Sequence, residues 1–184
     1  MDARQEDHGT NDGRHGRGQS SEAAAVPRTV AGGIGASAVA TLAMSGLMLG
    51  AQRAGMMRKQ PPEKITERFL DELHVQRSES AENALSTIAH FGFGMACGGI
   101  FGALRGRLLR AHPVSEGVLF GTLVWAASYC GWIPALAIMP PPTRDRPGRS
   151  ITMLAAHIVF GAVLGGLTPR ATARGPAAAA AALR

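Results

Sequence analysis

Two histidines, His90 and His157, are the residues of this chain best placed to do chemistry. The apolar stretch 84–104 contains one acidic or basic residue, His90, and the apolar stretch 151–168 contains one, His157. Ionisable groups inside a membrane span are costly, so by default they indicate a functional site. The pair suggests a cofactor site in which two imidazoles bind haem iron axially. A metal site or a proton-handling pair is the alternative chemistry.

The leading interpretation of the two histidines is nevertheless structural. Each imidazole would donate a hydrogen bond to a neighbouring helix and fix the packing there. A metal site would need more ligands, and no Asp, Glu or third His lies within any predicted span. We therefore predict no metal site and no bound cofactor, with haem as the alternative.

Four apolar stretches alternate with charged segments and predict four membrane-spanning helices. Each is close to the roughly 20 residues that a helix needs to cross the hydrocarbon core. Helix is the form in which an isolated span satisfies its own backbone hydrogen bonds in lipid. We expect an all-α fold, an integral membrane four-helix bundle, with spans at residues 30–50, 84–104, 117–140 and 151–168.

Composition agrees with a membrane protein. Charged residues make up 17% of the chain, against about a quarter in soluble domains. The net charge is +6, but the arginines form no stripe and no aromatic platform accompanies them, so nucleic-acid binding is not expected. The sequence lacks the motifs of serine hydrolases, zinc proteases and P-loop enzymes, and we predict no enzymatic activity. Cys97 and Cys130 are interpreted as small buried hydrophobic residues.

The segments outside the spans are polar. Residues 1–28 predict a disordered tail, residues 29–169 the membrane domain, and residues 170–184 an Ala-rich tail. Residues 63–77 predict an amphipathic helix that lies either on the membrane surface or against the ends of the spans. Its apolar face would consist of Ile65, Phe69, Leu70 and Leu73.

Two spans share a pattern that indicates an internal repeat. Residues 89–99 read AHFGFGMACGG and residues 156–166 read AHIVFGAVLGG, with six identities in eleven positions. We predict two tandem transmembrane hairpins inserted the same way up. His90 and His157 would then lie at one depth, near the side of the proline-rich loops.

Glycines at four-residue spacing predict close helix packing, because small residues on one face let backbones approach. In each copy of the repeat the histidine precedes the first of these glycines by four residues, so it shares their face. A homo-oligomer through a spare glycine face is a further prediction. The glycines predicted to pack are Gly94, Gly98, Gly102, Gly161 and Gly165.

A short basic loop, PPPTRDRPGRS, joins the last two spans. Arg144, Arg146 and Arg149 are candidate contacts for lipid headgroups or other anions. Membrane orientation stays open, because ten Lys and Arg residues lie on the side of the termini and nine on the other, which gives the positive-inside rule no asymmetry.

The order of these motifs resembles the YagU-like family of small bacterial inner-membrane proteins of unknown function. The resemblance rests on Pro61-Pro62, AHFGFGMACGGIFGAL, EGVLFGTLVWAASYCGWIPALAIMPPPT and AAHIVFGAVLG. It implies a multi-pass protein of the bacterial plasma membrane and supplies no activity.

From the sequence we therefore predict a non-enzymatic structural or accessory bundle whose partners are the lipid bilayer and, in one hypothesis, further membrane proteins. The alternatives are a haem- or metal-binding protein that uses His90 and His157, and a small transporter or channel.

Overall fold

The computed structural model describes residues 12–56, 61–74, 78–107 and 112–170. Every regular element in these ranges is helical, which confirms the all-α prediction. The elements are α1 (Asp12–Arg53), α2 (Pro61–Glu72), α3 (Glu79–Arg107), α4 (Pro113–Trp125), a π-helical segment (Ala126–Trp132), the single turn α5 (Ile133–Ala135) and α6 (Pro147–Leu167).

Four helical stretches are long and apolar enough to cross a membrane, as the sequence predicts. They are Val26–Arg53, Ser80–Arg105, Pro113–Ala135 and Pro147–Leu167. Large apolar side chains are exposed along them, with Leu42 at 60%, Ile88 at 68% and Leu119 at 61% exposure. A bilayer would cover these side chains, so the fold is that of a multi-pass membrane protein.

Several element bounds differ from the predicted ones. Helix α1 begins at Asp12, inside the predicted disordered tail of residues 1–28. The third span runs over Pro113–Ala135 and not over 117–140. Pro113 stands in the first turn of α4, where proline is favoured, and Ala137, with a φ of 54°, ends the helical backbone early. Residues 1–11, 57–60, 75–77, 108–111 and 171–184 lie outside the described residues, and so do the parts of the predicted polar tail, amphipathic helix and Ala-rich tail that fall there.

Helix α2 packs against the bundle through one face and leaves another face exposed. Ile65 contacts the core, and Thr66 and Leu70 are buried. Phe69 and Leu73 are 63% and 56% exposed. The predicted apolar face is therefore divided between the protein and its surroundings, which is the placement expected of a helix at a membrane interface.

The four spans form a bundle in which consecutive spans pair most closely. Helix α1 packs along α3, helix α4 packs along α6, and α1 with α6 joins the two pairs. Helices α3 and α4 contact each other much less. The bundle is thus tightly closed on three of its four seams.

Glycine faces make the close helix pairs. A Cβ built on Gly98 would meet the carbonyl oxygen of Gly33, and one built on Gly102 would meet that of Thr29. In the second pair, a Cβ on Gly161 would meet the carbonyl oxygen of Gly117. Gly165 and Gly94 are equally confined, by Pro113 and Thr41. The structure therefore places all five glycines singled out in the sequence at helix–helix contacts.

Substitution of one of these glycines tests the packing. Gly98→Ala should lower the free energy of unfolding by about 1–3 kcal/mol, because the added methyl group separates α1 from α3. On the same helix, Gly92 has open space around it in the described part of the chain, so Gly92→Ala should raise stability by up to about 1 kcal/mol through helix propensity alone. Denaturant titration in detergent micelles measures both, and equal effects would contradict the packing described here.

Candidate functional site

A cavity of about 280 Å³ lies in the half of the bundle nearest the proline-rich loops. All four spans contribute to its wall, and α2 lies at its edge through Pro62, Ile65 and Thr66. The wall is largely apolar, and His90 and His157 both line it. The structure therefore brings the two sequence-predicted site residues to one cavity.

His157 is held in a defined orientation. Its side chain is 6% exposed, and its Nδ1 lies 2.7 Å from the carbonyl oxygen of Met153, one turn earlier in α6. Because a carbonyl oxygen accepts and cannot donate, Nδ1 carries the proton of the neutral ring. The lone pair of the imidazole is then on Nε2, which is the arrangement of a metal- or ligand-binding histidine.

His90 is less constrained. Its Nε2 is buried, and no hydrogen-bond partner for it exists among the described residues. The ring packs edge-on to Phe91, with ring centroids 6.4 Å apart. A buried polar atom without a partner is uncommon and calls for an explanation such as a bound ligand or water. The hydroxyl of Thr41, which also lines the cavity, is likewise buried without a partner in the described ranges.

Sulfur atoms are the other notable groups of the wall. The cavity is lined by Met44 and Met48 on α1, Cys97 on α3 and Met153 on α6. Cys97 is buried as predicted, whereas Cys130 is exposed, contrary to the prediction. Residue 130 lies in the π-helical segment, where a wider turn rotates the side chains from the positions expected of an α-helix.

The π-helical segment shapes the wall opposite α1. Ser128, Tyr129 and Trp132 line the cavity from it. The hydroxyl of Ser128 donates to the carbonyl oxygen of Val124 at 2.7 Å. Single π-helical turns inside α-helices occur frequently at functional sites, because they redirect side chains. This segment was not foreseen from sequence, which shows only an uninterrupted apolar stretch before Pro134.

A buried ion pair closes the cleft between α3 and α4 at the side of the termini. Arg105 Nε lies 3.8 Å from Glu116 Oε2, and both side chains are at most 3% exposed. The guanidinium also donates to the carbonyl oxygen of Gly165, and next to it Phe101 packs on Phe120 at 5.2 Å between ring centroids. The predicted spans contain no Asp or Glu, but the observed spans are longer at their starts and include Glu82 and Glu116, so the prediction does not hold for them.

A second polar cluster lies at the loop side. Tyr129, which is fully buried, donates its hydroxyl proton to Asp145. Arg149 donates from Nη1 to both oxygens of the same carboxylate, at 3.1 and 3.2 Å. Of the three arginines proposed for headgroup contact, Arg149 is thus buried and paired, whereas Arg144 and Arg146 are exposed. Arg149 differs from the other two arginines because it lies one helical turn after Asp145 and pairs with its carboxylate.

Among the residues that the structure describes, no group of three or more His, Cys, Asp or Glu side chains is arranged to hold a metal ion.

The sequence does not predict the Arg105–Glu116 ion pair or the Tyr129–Asp145–Arg149 cluster. Glu116 stands in the first turn of a helix, where acidic residues are ordinary, and no local pattern distinguishes it from a solvated residue.

The fold and the cavity define a class: a small helical membrane bundle with a mostly apolar cavity that is partly open to the surroundings and lined by two histidines. More specifically, residues 27–178 match a family of unknown function, DUF6789, and the chain belongs to that family. No curated protein matches the chain. No solved structure matches it either.

The ion pair between Arg105 and Glu116 can be tested by a double-mutant cycle. Arg105→Met or Glu116→Gln alone should lower the free energy of unfolding by about 3–5 kcal/mol, because each leaves the other charge of the pair buried without its partner. The double variant should lose less stability than the two single variants lose together, and the difference, which is the coupling energy, should exceed about 1 kcal/mol.

The control for this cycle is the exposed pair Arg68–Glu72 on α2, with a separation of 2.9 Å. Its coupling energy should be about 0.3–0.5 kcal/mol. Equal coupling in the two cycles, measured by chemical unfolding in micelles, would show that Arg105 and Glu116 do not interact in a buried site.

Proposed function

We propose that this protein is a non-enzymatic accessory bundle that holds a small ligand in the cavity between His90 and His157. The observation that carries the proposal is the Nε2 atom of His90, which is buried without a partner in the described part of the chain and belongs to a residue that lines the cavity. Most buried polar atoms of side chains have a hydrogen-bond partner, so this unpartnered atom calls for one. His157, with its proton on Nδ1, has its lone pair on Nε2 and is the second candidate contact for the same ligand.

The volume of the cavity favours a ligand smaller than haem. Pockets for drug-sized molecules measure roughly 300–1,000 Å³, and this cavity of about 280 Å³ lies below that range. Haem is the second candidate because two imidazoles from different helices are the ligand set of a bis-histidine haem. It would require α3 to move away from α4 along the seam where the two helices contact least.

The hairpin repeat is part of the same proposal. In the first pair Gly33 faces Gly98 and Gly102, and in the second Gly117 faces Gly161 and Gly165. The sequence pattern, in contrast, aligns Gly98 with Gly165. Both observations are explained if the two hairpins are related and the second helix of one is shifted by one helical turn along its partner relative to the other hairpin. Together with the resemblance to YagU-like proteins, this supports a multi-pass protein of the bacterial plasma membrane.

The lipid bilayer is the proposed partner of the exposed surface. Arg144 and Arg146 are exposed at the end of the third span and are suited to anionic headgroups. Anionic lipid should therefore raise the thermal midpoint of the protein more than zwitterionic lipid does. An Arg144→Gln/Arg146→Gln variant that keeps the full difference would contradict the contact. A homo-oligomer through an exposed face stays a prediction.

Replacement of each histidine separates a ligand-binding role from a packing role. His90→Leu should abolish ligand retention, and it should leave the ligand-free protein equally or more stable by about 1 kcal/mol, because a buried polar atom without a partner is removed. His157→Leu should lower stability by about 1 kcal/mol, because the hydrogen bond to Met153 is lost. The protein is purified in mild detergent from haem-supplied cells, and its bound species are measured by absorption spectroscopy, mass spectrometry and metal analysis.

The matched control is His112→Leu, at an exposed position before α4 that does not line the cavity. This variant should retain the bound species. A Soret band lost in both cavity variants would identify the ligand as haem. If the wild type retains no species and His90→Leu is destabilised as much as His157→Leu, both histidines are packing residues and the proposed function is wrong.

A further inference from the structure

Three helices each bring one soft or borderline metal donor to a similar depth of the cavity. The donors are the Met44 thioether on α1, the His90 imidazole on α3 and the His157 imidazole on α6, and all three side chains line the cavity. Their similar depth follows from the contacts between the helix backbones, which fix how far each helix is shifted along its neighbours.

The register between α1 and α3 is set by the contact of Thr41 with Gly94. These helices run in opposite directions, so residues after Thr41 lie beside residues before Gly94. Met44 is three residues beyond Thr41, about 4.5 Å along the axis, and His90 is four residues before Gly94, about 6 Å along it. Met44 and His90 are therefore neighbours at nearly the same depth.

The register between α1 and α6 is set at the opposite end by Gly32 and Pro169, where a Cβ on the glycine would lie 2.6 Å from the proline ring. Met44 is twelve residues after Gly32, and His157 is twelve residues before Pro169. The separation along α1 is about 18 Å, and His157 lies about 15 Å before the end of α6 at Leu167, two residues short of Pro169. His157 therefore lies within about one helical turn of the depth of Met44, and hence of His90.

Two further sulfur donors lie one turn nearer to the loops. Met48 follows Met44 by four residues, and Met153 precedes His157 by four residues, so each shares its helix face with the deeper donor. Both side chains line the cavity, and both are nearly fully buried. The five donors thus form two layers between α2 and the centre of the bundle.

This donor set selects among metals. Thioethers are soft neutral ligands that favour Cu(I), and imidazole also binds copper, whereas Mg²⁺ and Ca²⁺ require oxygen ligands. A monovalent ion needs less charge compensation than a divalent ion, which suits an apolar cavity whose lining holds no carboxylate. Methionine side chains are flexible enough to close around an ion smaller than the cavity.

We propose that the cavity binds one soft monovalent metal ion, Cu(I) in the cell, through Met44, His90 and His157, with Met48 and Met153 as the layer through which it enters. The inference rests on the proposed function, because it names the ligand that the two histidines hold. His157 is already oriented for this role by the bond from its Nδ1 to the Met153 carbonyl, and the Nε2 of His90 has no competing partner among the described residues.

The test uses the full chain purified in mild detergent. Ag(I), a redox-inert soft ion, is titrated calorimetrically, and Cu(I) is titrated in ascorbate against a chromogenic chelator. We expect one ion per chain, and much weaker binding of Zn²⁺. Met44→Leu preserves side-chain volume and should weaken binding at least about tenfold, since even an outer partner of a metal ligand contributes about 10–100-fold.

The matched control is Met139→Leu. Met139 is as buried as the cavity methionines but does not line the cavity, so this variant should bind Ag(I) as the wild type does. Cys97→Ser tests the thiol, which lies about 10 Å from His90 along α3, and should also bind normally. Cys130→Ser is introduced throughout because its exposed thiol would bind Ag(I) on its own.

Absence of stoichiometric Ag(I) and Cu(I) binding would overturn the proposal, and so would equal effects of Met44→Leu and Met139→Leu. If an organic ligand or haem is retained through His90 while neither ion binds, the metal assignment is wrong and the proposed function stands. If nothing is retained and His90→Leu behaves as a packing variant, the metal assignment and the proposed function are both wrong.

Discussion

Backbone contact between glycine faces is the constraint on which the arrangement of this bundle depends. In lipid there is little hydrophobic drive for helices to associate, so association relies on close van der Waals packing. Gly98 on α3 against Gly33 on α1, and Gly161 on α6 against Gly117 on α4, leave no room for a Cβ atom. These contacts fix the position of each helix along its partner. The depth of every side chain in the centre of the bundle, including His90 and His157, follows from them.

The seam that lacks such a glycine face has a different character. Helices α3 and α4 meet at the ion pair of Arg105 with Glu116 and at the contact between the tilted rings of Phe101 and Phe120. Towards the loops, the cavity lies between α3 and the helical segment that continues α4. Three seams are closely packed, and the fourth is closed by polar groups at one end only, so a partly open cavity remains at its other end. Tyr129 and Ser128 of the π-helical segment line this cavity.

Much of the architecture follows from local sequence. The four spans, the amphipathic helix after Pro61-Pro62 and the contact role of Gly94 and Gly161 depend on hydrophobic length and on periodicity, which neighbouring residues encode. The ends of the spans were predicted less well from the sequence. Pro113 begins the third span four residues before the predicted start, and Ala137 ends it, because helix ends depend on backbone conformation and capping as well as on hydropathy. The two histidines were recognised because a basic residue is conspicuous in an apolar stretch.

The sequence by itself determined that the chain is an all-helical membrane bundle, since hydrophobic length and backbone hydrogen bonding in lipid leave no other solution. It also marked His90 and His157 as the residues to examine. Only the tertiary structure decided that Glu116 is buried against Arg105, that Arg149 is held by Asp145, and that methionines from α1 and α6 share a cavity with the histidines. These relations join residues far apart in the chain, and they depend on helix register, which is set by the sum of many small contacts and not by any local pattern.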